Sequence, residues 1–78
     1  MTMLEAALTI LKKTNTPMSA DEIYSHICQE NLFTFSAKDP IAILKAQLRK
    51  NTFGFQGKSA VTKPVLKQLE NKKFIPLN

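Results

Sequence analysis

The chain has 78 residues, 44% hydrophobic and 22% charged, with two glycines and four prolines; that holds one small folded domain (1–78) and excludes a low-complexity or disordered chain. The formal net charge is +5, divided as a net −2 over residues 1–37 (two basic side chains, four acidic) and +7 over residues 38–78 (nine basic, two acidic). The longest apolar runs, such as Ile41-Ala42-Ile43-Leu44, fall far short of the roughly 20 residues that span a bilayer, and one cysteine cannot staple a small fold.

The first helix is marked by Thr2 and Glu5, which have capping-box spacing: each side chain can satisfy a backbone N–H that the helix start leaves unpaired. Leu4, Ala7, Leu8 and Leu11 then recur at helical spacing. Lys12 and Lys13 complement the carbonyl end of the helix before Asn15-Thr16-Pro17 ends it. Ser19 and Glu22 repeat the box for a second helix, with Met18 and Ile23 placed as a hydrophobic staple. Ile23 and Ile27 continue its stripe, Tyr24 or Cys28 edge it, and it should fade near Asn31.

A longer connection carrying Leu32, Phe33 and Phe35 leads to Asp39, a good N-cap, and Pro40, which suits the first helical position. At about 100° per residue the third helix divides into two arcs. Ile43, Leu44, Gln47, Leu48 and Asn51 form the apolar side, with Ile41 at its border; Ala42, Lys45, Ala46, Arg49 and Lys50 form the other. The second arc joins three cations to two small side chains, as a helix approaching a DNA groove requires, and has no acid for intrahelical pairing. Phe53 to Ala60, with Gly54 and Gly57, reads as a loop. Val65–Leu69 and Lys73–Leu77 then flank Glu70-Asn71-Lys72 as a hairpin, with Pro76 marking an edge strand. A short helix over 64–70 competes with the hairpin, since Val65, Leu66 and Leu69 also fit helical spacing.

No constellation for catalysis or metal binding emerges. His26 and Cys28 are the only residues of their kinds, and two positions apart on a helix they point about 200° from each other. Cys28 is expected at the core or its boundary and His26 in solvent. Asp21, Glu22 and Asp39 are explained by helix starts, and Gly54 and Gly57 lack the setting of a phosphate loop. The chain is expected to be a non-enzyme without cofactor. No basic stretch backed by an apolar run follows Met1, so no signal peptide is expected and the location is read as cytoplasmic.

Three capped helices and a basic hairpin describe a mostly α winged helix-turn-helix with a small β wing. The run Pro17-Met18-Ser19 through Glu22-Ile23, then Ile27, Leu32, Lys38-Asp39-Pro40 and Ala46-Gln47-Leu48, resembles the HARE-type helix-turn-helix domain. Leu4-Glu5-Ala6-Ala7 with Leu8 and Leu11 fits its first helix, and Lys73-Phe74-Ile75-Pro76-Leu77 its last wing strand. Asn31 stands where the family usually has glycine, Asp39 where it has threonine, and Phe53 to Lys63 is longer than its compact pattern. The resemblance implies a winged helix of the kind fused to restriction endonucleases and DNA glycosylases, or found in chromatin proteins and the delta subunit of bacterial RNA polymerase. It also implies a DNA-reading role for Lys45, Arg49 and Lys50, and for the wing residues Lys67, Lys72 and Lys73.

Two functions are therefore expected. The first is a non-catalytic module for double-stranded DNA, linked to restriction-modification or transcription and nucleoid-associated in a bacterium. Its third helix would lie toward the major groove and its contacts would come from Lys38, Lys45, Arg49, Lys50, Lys58, Lys63, Lys67, Lys72 and Lys73, Arg49 pairing with a base edge. The second is a protein-interaction module docking on an endonuclease or polymerase component. Cations gathered on one face with Phe33, Phe35, Phe53 and Phe55 buried favour the first; several exposed phenylalanines together favour the second.

Overall fold

The computed structural model describes residues 2–54 and 64–77. Helix α1 (Met3–Thr14) begins at Thr2 with both arms of the capping box made. Thr2 N–H donates to Glu5 Oε1 at 2.8 Å, and Glu5 N–H donates to Thr2 Oγ1 at 3.1 Å. The helix closes on Asn15 in the left-handed region (φ 52). Helix α2 (Ala20–Gln29) repeats the box at Ser19 and Glu22, at 3.0 and 3.3 Å. Each cap is worth about 1 kcal/mol. Past the Glu30 cap the chain turns through Asn31 at φ 55, a conformation that glycine and asparagine adopt at least cost. Helix α3 (Pro40–Lys50) starts with Ala42 N–H donating to Asp39 Oδ1 at 3.2 Å and Pro40 in the first turn.

The hairpin forms, and the short helix over 64–70 does not. Strands β1 (Leu66–Gln68) and β2 (Phe74–Pro76) pair antiparallel in the register Leu66↔Pro76, Lys67↔Ile75 and Gln68↔Phe74. Leu69 N–H donates to the Lys73 carbonyl at 2.8 Å, and Leu77 N–H to the Val65 carbonyl at 3.0 Å. The backbone groups of Phe74 and Pro76 therefore point to the outer edge of β2. There Met18 and Phe74 exchange hydrogen bonds of 3.2 and 2.7 Å, and Pro76 loses nothing by lacking an N–H. Across the other edge, Leu66 bridges to Thr52, with Phe53 N–H donating to the Leu66 carbonyl at 2.7 Å.

All five elements contribute to one apolar core, in which Ile10, Leu11, Ile23, Ile27, Leu44, Leu48 and Leu66 are the largest fully buried side chains. Each contributes roughly 1.5–3 kcal/mol through burial. Three details differ from the expected faces. Helix α1 turns Ala6, Ala7, Ile10 and Leu11 inward and leaves Leu4 and Leu8 half-buried at the border. Cys28 is exposed and His26 half-buried, because His26 lies about 60° round the helix from Ile23 and Cys28 about 140°. Ile43 of α3 is 42% exposed rather than in the core. Phe33 and Phe35 do close the core from the α2–α3 connection, each ring 5.0 Å from its aromatic neighbour, with Tyr24 completing the set.

The junction of α3 with the hairpin is polar and fully bonded. Asn51 and Thr52 are buried at 7% and 8% exposure. Asn51 Nδ2 donates to the Gln47 carbonyl at 2.8 Å, and Thr52 Oγ1 to the Leu48 carbonyl at 2.6 Å. The Asn51 carbonyl in turn accepts the Val65 and Leu66 N–H groups at 3.0 and 3.1 Å. These bonds fix where the hairpin stands relative to the outer face of α3.

Candidate nucleic-acid interface

Arg49 follows Lys45 by four residues, which places the two about 40° apart on the exposed side of α3. Opposite them, the hairpin turn brings in Lys72, and Gln68 of β1 projects on the same sheet face as Phe74. With the first turn of α2 (Ser19, Ala20 and Asp21), these residues line an open hollow of about 400 Å3. Three cations and one carboxylate thus share one concavity. Ala20 and Asp21 also sit where a helix start leaves backbone N–H groups without intrahelical partners.

The turn that delivers Lys72 is unusual for the residue it carries. Lys72 N–H donates to the Leu69 carbonyl at 2.9 Å, and Lys73 N–H to Asn71 Oδ1 at 3.2 Å, while Lys72 itself lies at φ 65. A three-residue hairpin loop of this type favours glycine at its left-handed position. Lysine there carries strain of order 1 kcal/mol. The same turn geometry brings its side chain to the rim of the hollow.

The other expected contact residues are distributed differently. Lys38 is exposed just ahead of the Asp39 cap. Lys50 is half-buried, about 140° round α3 from Lys45 and on the flank of Ile43. Lys67 is exposed but pairs with Ile75, on the sheet face opposite Gln68. Lys73 lies 3.8 Å from Glu22 of α2, a pair whose side chains are 40% and 50% exposed. Lys58 and Lys63 lie outside the described residues, as do Gly57 and Phe55. Of the phenylalanines described, Phe53 alone is well exposed, at 68%. Gln68 was not marked by its type; the inward alternation Leu66, Gln68 was the signal that could have found it.

Glu22 and Glu5 are both held below the ordinary carboxylate range, first by accepting the backbone N–H of Ser19 and Thr2 respectively. No group of three or more His, Cys, Asp or Glu among the described residues could hold a metal ion. No described helix is long and apolar enough to cross a membrane.

The family model for HARE-HTH, the helix-turn-helix domain named for ASXL and restriction endonuclease among its members, matches residues 1–63, most of the chain. This chain belongs to the HARE-HTH family. It is thereby a member of a helix-turn-helix DNA-binding domain family, and its three helices with an antiparallel hairpin give that domain a winged-helix form. Asn31 in the left-handed region supplies the physical reason why this HARE-HTH chain can replace the usual glycine. No curated protein and no solved structure matches the chain.

Proposed function

We propose that residues 1–78 form one non-catalytic domain that binds double-stranded DNA, with the α3 side of the hollow toward the major groove and Lys72 on a flanking phosphate. The observation that carries this reading is the meeting of Lys45, Arg49 and Lys72, from two distant parts of the chain, around one concavity. Arg49 offers the planar fork that pairs bidentately with guanine, and Gln68 on the other side of the hollow can pair with adenine. The lysines act on phosphates without regard to sequence. Lys38, Lys58 and Lys63 would add to the domain's positive charge, whereas Lys50 and Lys67 do not line the hollow and would contribute little. The role in the cell is one of linking a restriction-modification or transcription activity to its DNA, in the cytoplasm or on the nucleoid.

The test is a salt titration of duplex binding with wild type and the Lys45→Ala/Arg49→Ala variant. Each lost charge-assisted contact is worth about 1.5–3 kcal/mol, so affinity should fall at least tenfold. The log–log salt slope should flatten by about 1, roughly 0.9 for the counterion released by Lys45, Arg49 being on a base edge. Unchanged affinity and slope in the variant would remove the hollow from the contact.

A further inference from the structure

One group in the hollow beside α3 works against phosphate. Asp21, in the first turn of α2, lines it together with Lys45, Arg49 and Lys72. The helix start does not depend on this residue. The capping box of α2 is closed by Glu22, whose Oε1 accepts the Ser19 N–H at 3.0 Å. Among the described residues the ion pairs are Lys13–Glu30 and Lys73–Glu22, so the exposed Asp21 carboxylate is not paired with the cations that share its concavity. A surface that met the DNA backbone alone would lose affinity through such a group. Carboxylate and phosphate oxygens both accept hydrogen bonds and carry like charge, so neither satisfies the other. The base edges of the major groove do offer donors, the N4 amine of cytosine and the N6 amine of adenine.

We propose that Asp21 is a specificity-determining residue of the hollow: its carboxylate accepts from the N4 amine of a cytosine while Arg49 donates to the guanine paired with it. The inference rests on the DNA-binding reading of the same hollow. The order of groups along a base-pair edge decides for cytosine over adenine. On the major-groove edge of a G·C pair the two guanine acceptors, N7 and O6, stand side by side and the cytosine amine follows them. A two-pronged donor and a carboxylate are then both satisfied by one pair. On an A·T pair the amine stands between two acceptors, which leaves the guanidinium fork facing a donor. Where no amine is offered, the carboxylate is left against acceptors without a partner, and that penalty discriminates as much as the bond itself. Asp21 thereby weakens the sequence-independent pull of three cations and spares the specific complex.

The test starts from a duplex that wild type selects from random sequence. Each of its cytosines in turn is replaced by a pyrimidinone that lacks the N4 amine and leaves the opposite guanine in place, and affinities are read by fluorescence anisotropy. At one cytosine wild type should lose about tenfold, and Asp21→Ala, an exposed change outside the capping box, no more than about twofold. Asp21→Ala should also bind a random-sequence duplex severalfold more tightly than wild type, so its ratio of selected to random affinity falls from both sides. Asp21→Asn, which keeps an acceptor without the charge, should bind the random duplex more tightly as well and retain part of the response to the analogue. A role confined to the start of α2 would shift the melting temperature and move none of these ratios. Three outcomes overturn the proposal: wild type indifferent to the analogue at every cytosine, wild type and Asp21→Ala losing equally at each, or Asp21→Ala binding the random duplex no more tightly than wild type. The Lys45→Ala/Arg49→Ala variant tells this failure from failure of the underlying reading. If that variant binds duplex as wild type does, the hollow is not the contact and both fall. If it binds weakly while Asp21→Ala discriminates as wild type does, the role of Asp21 alone falls.

Discussion

On its α3 side the hairpin sets Gln68 and Lys72 against Lys45 and Arg49, around a hollow that also receives Asp21. On its α1 side it sets Ile75, Pro76 and Leu77 against Leu8, Leu11 and Lys12. The first surface is charged and concave; the second joins apolar side chains to Asn15, Thr16 and a single cation. Both are built from the same short stretch of chain, and lysine is frequent throughout it. Along β1 the two-residue period of a strand sends Gln68 toward the hollow and Lys67 to the opposite sheet face. Charge counted along a segment is therefore a poor guide to charge gathered in space. Of the nine expected contact lysines and arginines, those that converge do so because a helix repeat (Lys45 and Arg49) happens to face a turn (Lys72).

The most drastic way to break this comparison is to remove what holds the hairpin in place. Leu66 is fully buried, and its backbone is bonded to Asn51 and Phe53 at the end of α3. Leu66→Ala should cost about 2–5 kcal/mol in urea denaturation. At temperatures where the variant is still folded, it should loosen both surfaces, weakening duplex binding and speeding amide hydrogen exchange at Ile75 and Leu77 together. A loss confined to one surface would show that the two sides of the hairpin are positioned independently.

The architecture was legible because its signals are local. Two capping boxes, an Asp-Pro helix start and a Glu-Asn-Lys turn each act within a few residues, and every one forms in the structure. Faces were less legible. A half-turn of ambiguity on α3 put Ile43 inward and grouped Lys50 with Lys45, although the core contact through Leu44, Leu48 and Asn51 leaves both at a flank. The hollow itself could not be read from the chain, since it depends on how far α3, the start of α2 and the hairpin turn stand from one another. That spacing is decided by long-range bonds such as Met18 with Phe74 and Asn51 with Leu66. The Lys73–Glu22 contact is of the same kind: it joins residues far apart in the chain, one from each charge block.

A gentler change sharpens the contrast within the hairpin. Lys72→Gly relieves the left-handed strain at φ 65, and after the greater freedom glycine gives the unfolded chain, the net gain should be up to about 1 kcal/mol. Duplex affinity should nevertheless fall severalfold, because the third cation of the hollow is gone. Lys67→Ala, on the opposite sheet face, should change duplex affinity by no more than about twofold. Thermal melting and fluorescence anisotropy on the two variants read both quantities. Greater stability with weaker binding at position 72 alone would mark its lysine as kept for contact and not for folding.

The smallest effect separates the hairpin's third lysine from the other two. Glu22 caps α2 through the Ser19 N–H and also faces Lys73, and its carboxyl is held below its ordinary value of 4.5. A carboxylate whose folded pKa is depressed stabilises the fold above its unfolded pKa, and that contribution disappears as pH falls through the folded value. Wild type should therefore melt slightly higher than Glu22→Gln near neutral pH, and the gap should close as pH falls below the ordinary value of 4.5. Because Glu22 is exposed, the difference in Tm should be small, yet its direction is fixed by the sign of the shift. Lys73, released from its acid in the glutamine variant, should leave duplex affinity equal or slightly higher. A marked loss of binding would mean instead that the Glu22–Lys73 pair positions the hairpin turn, and with it Lys72, over the hollow.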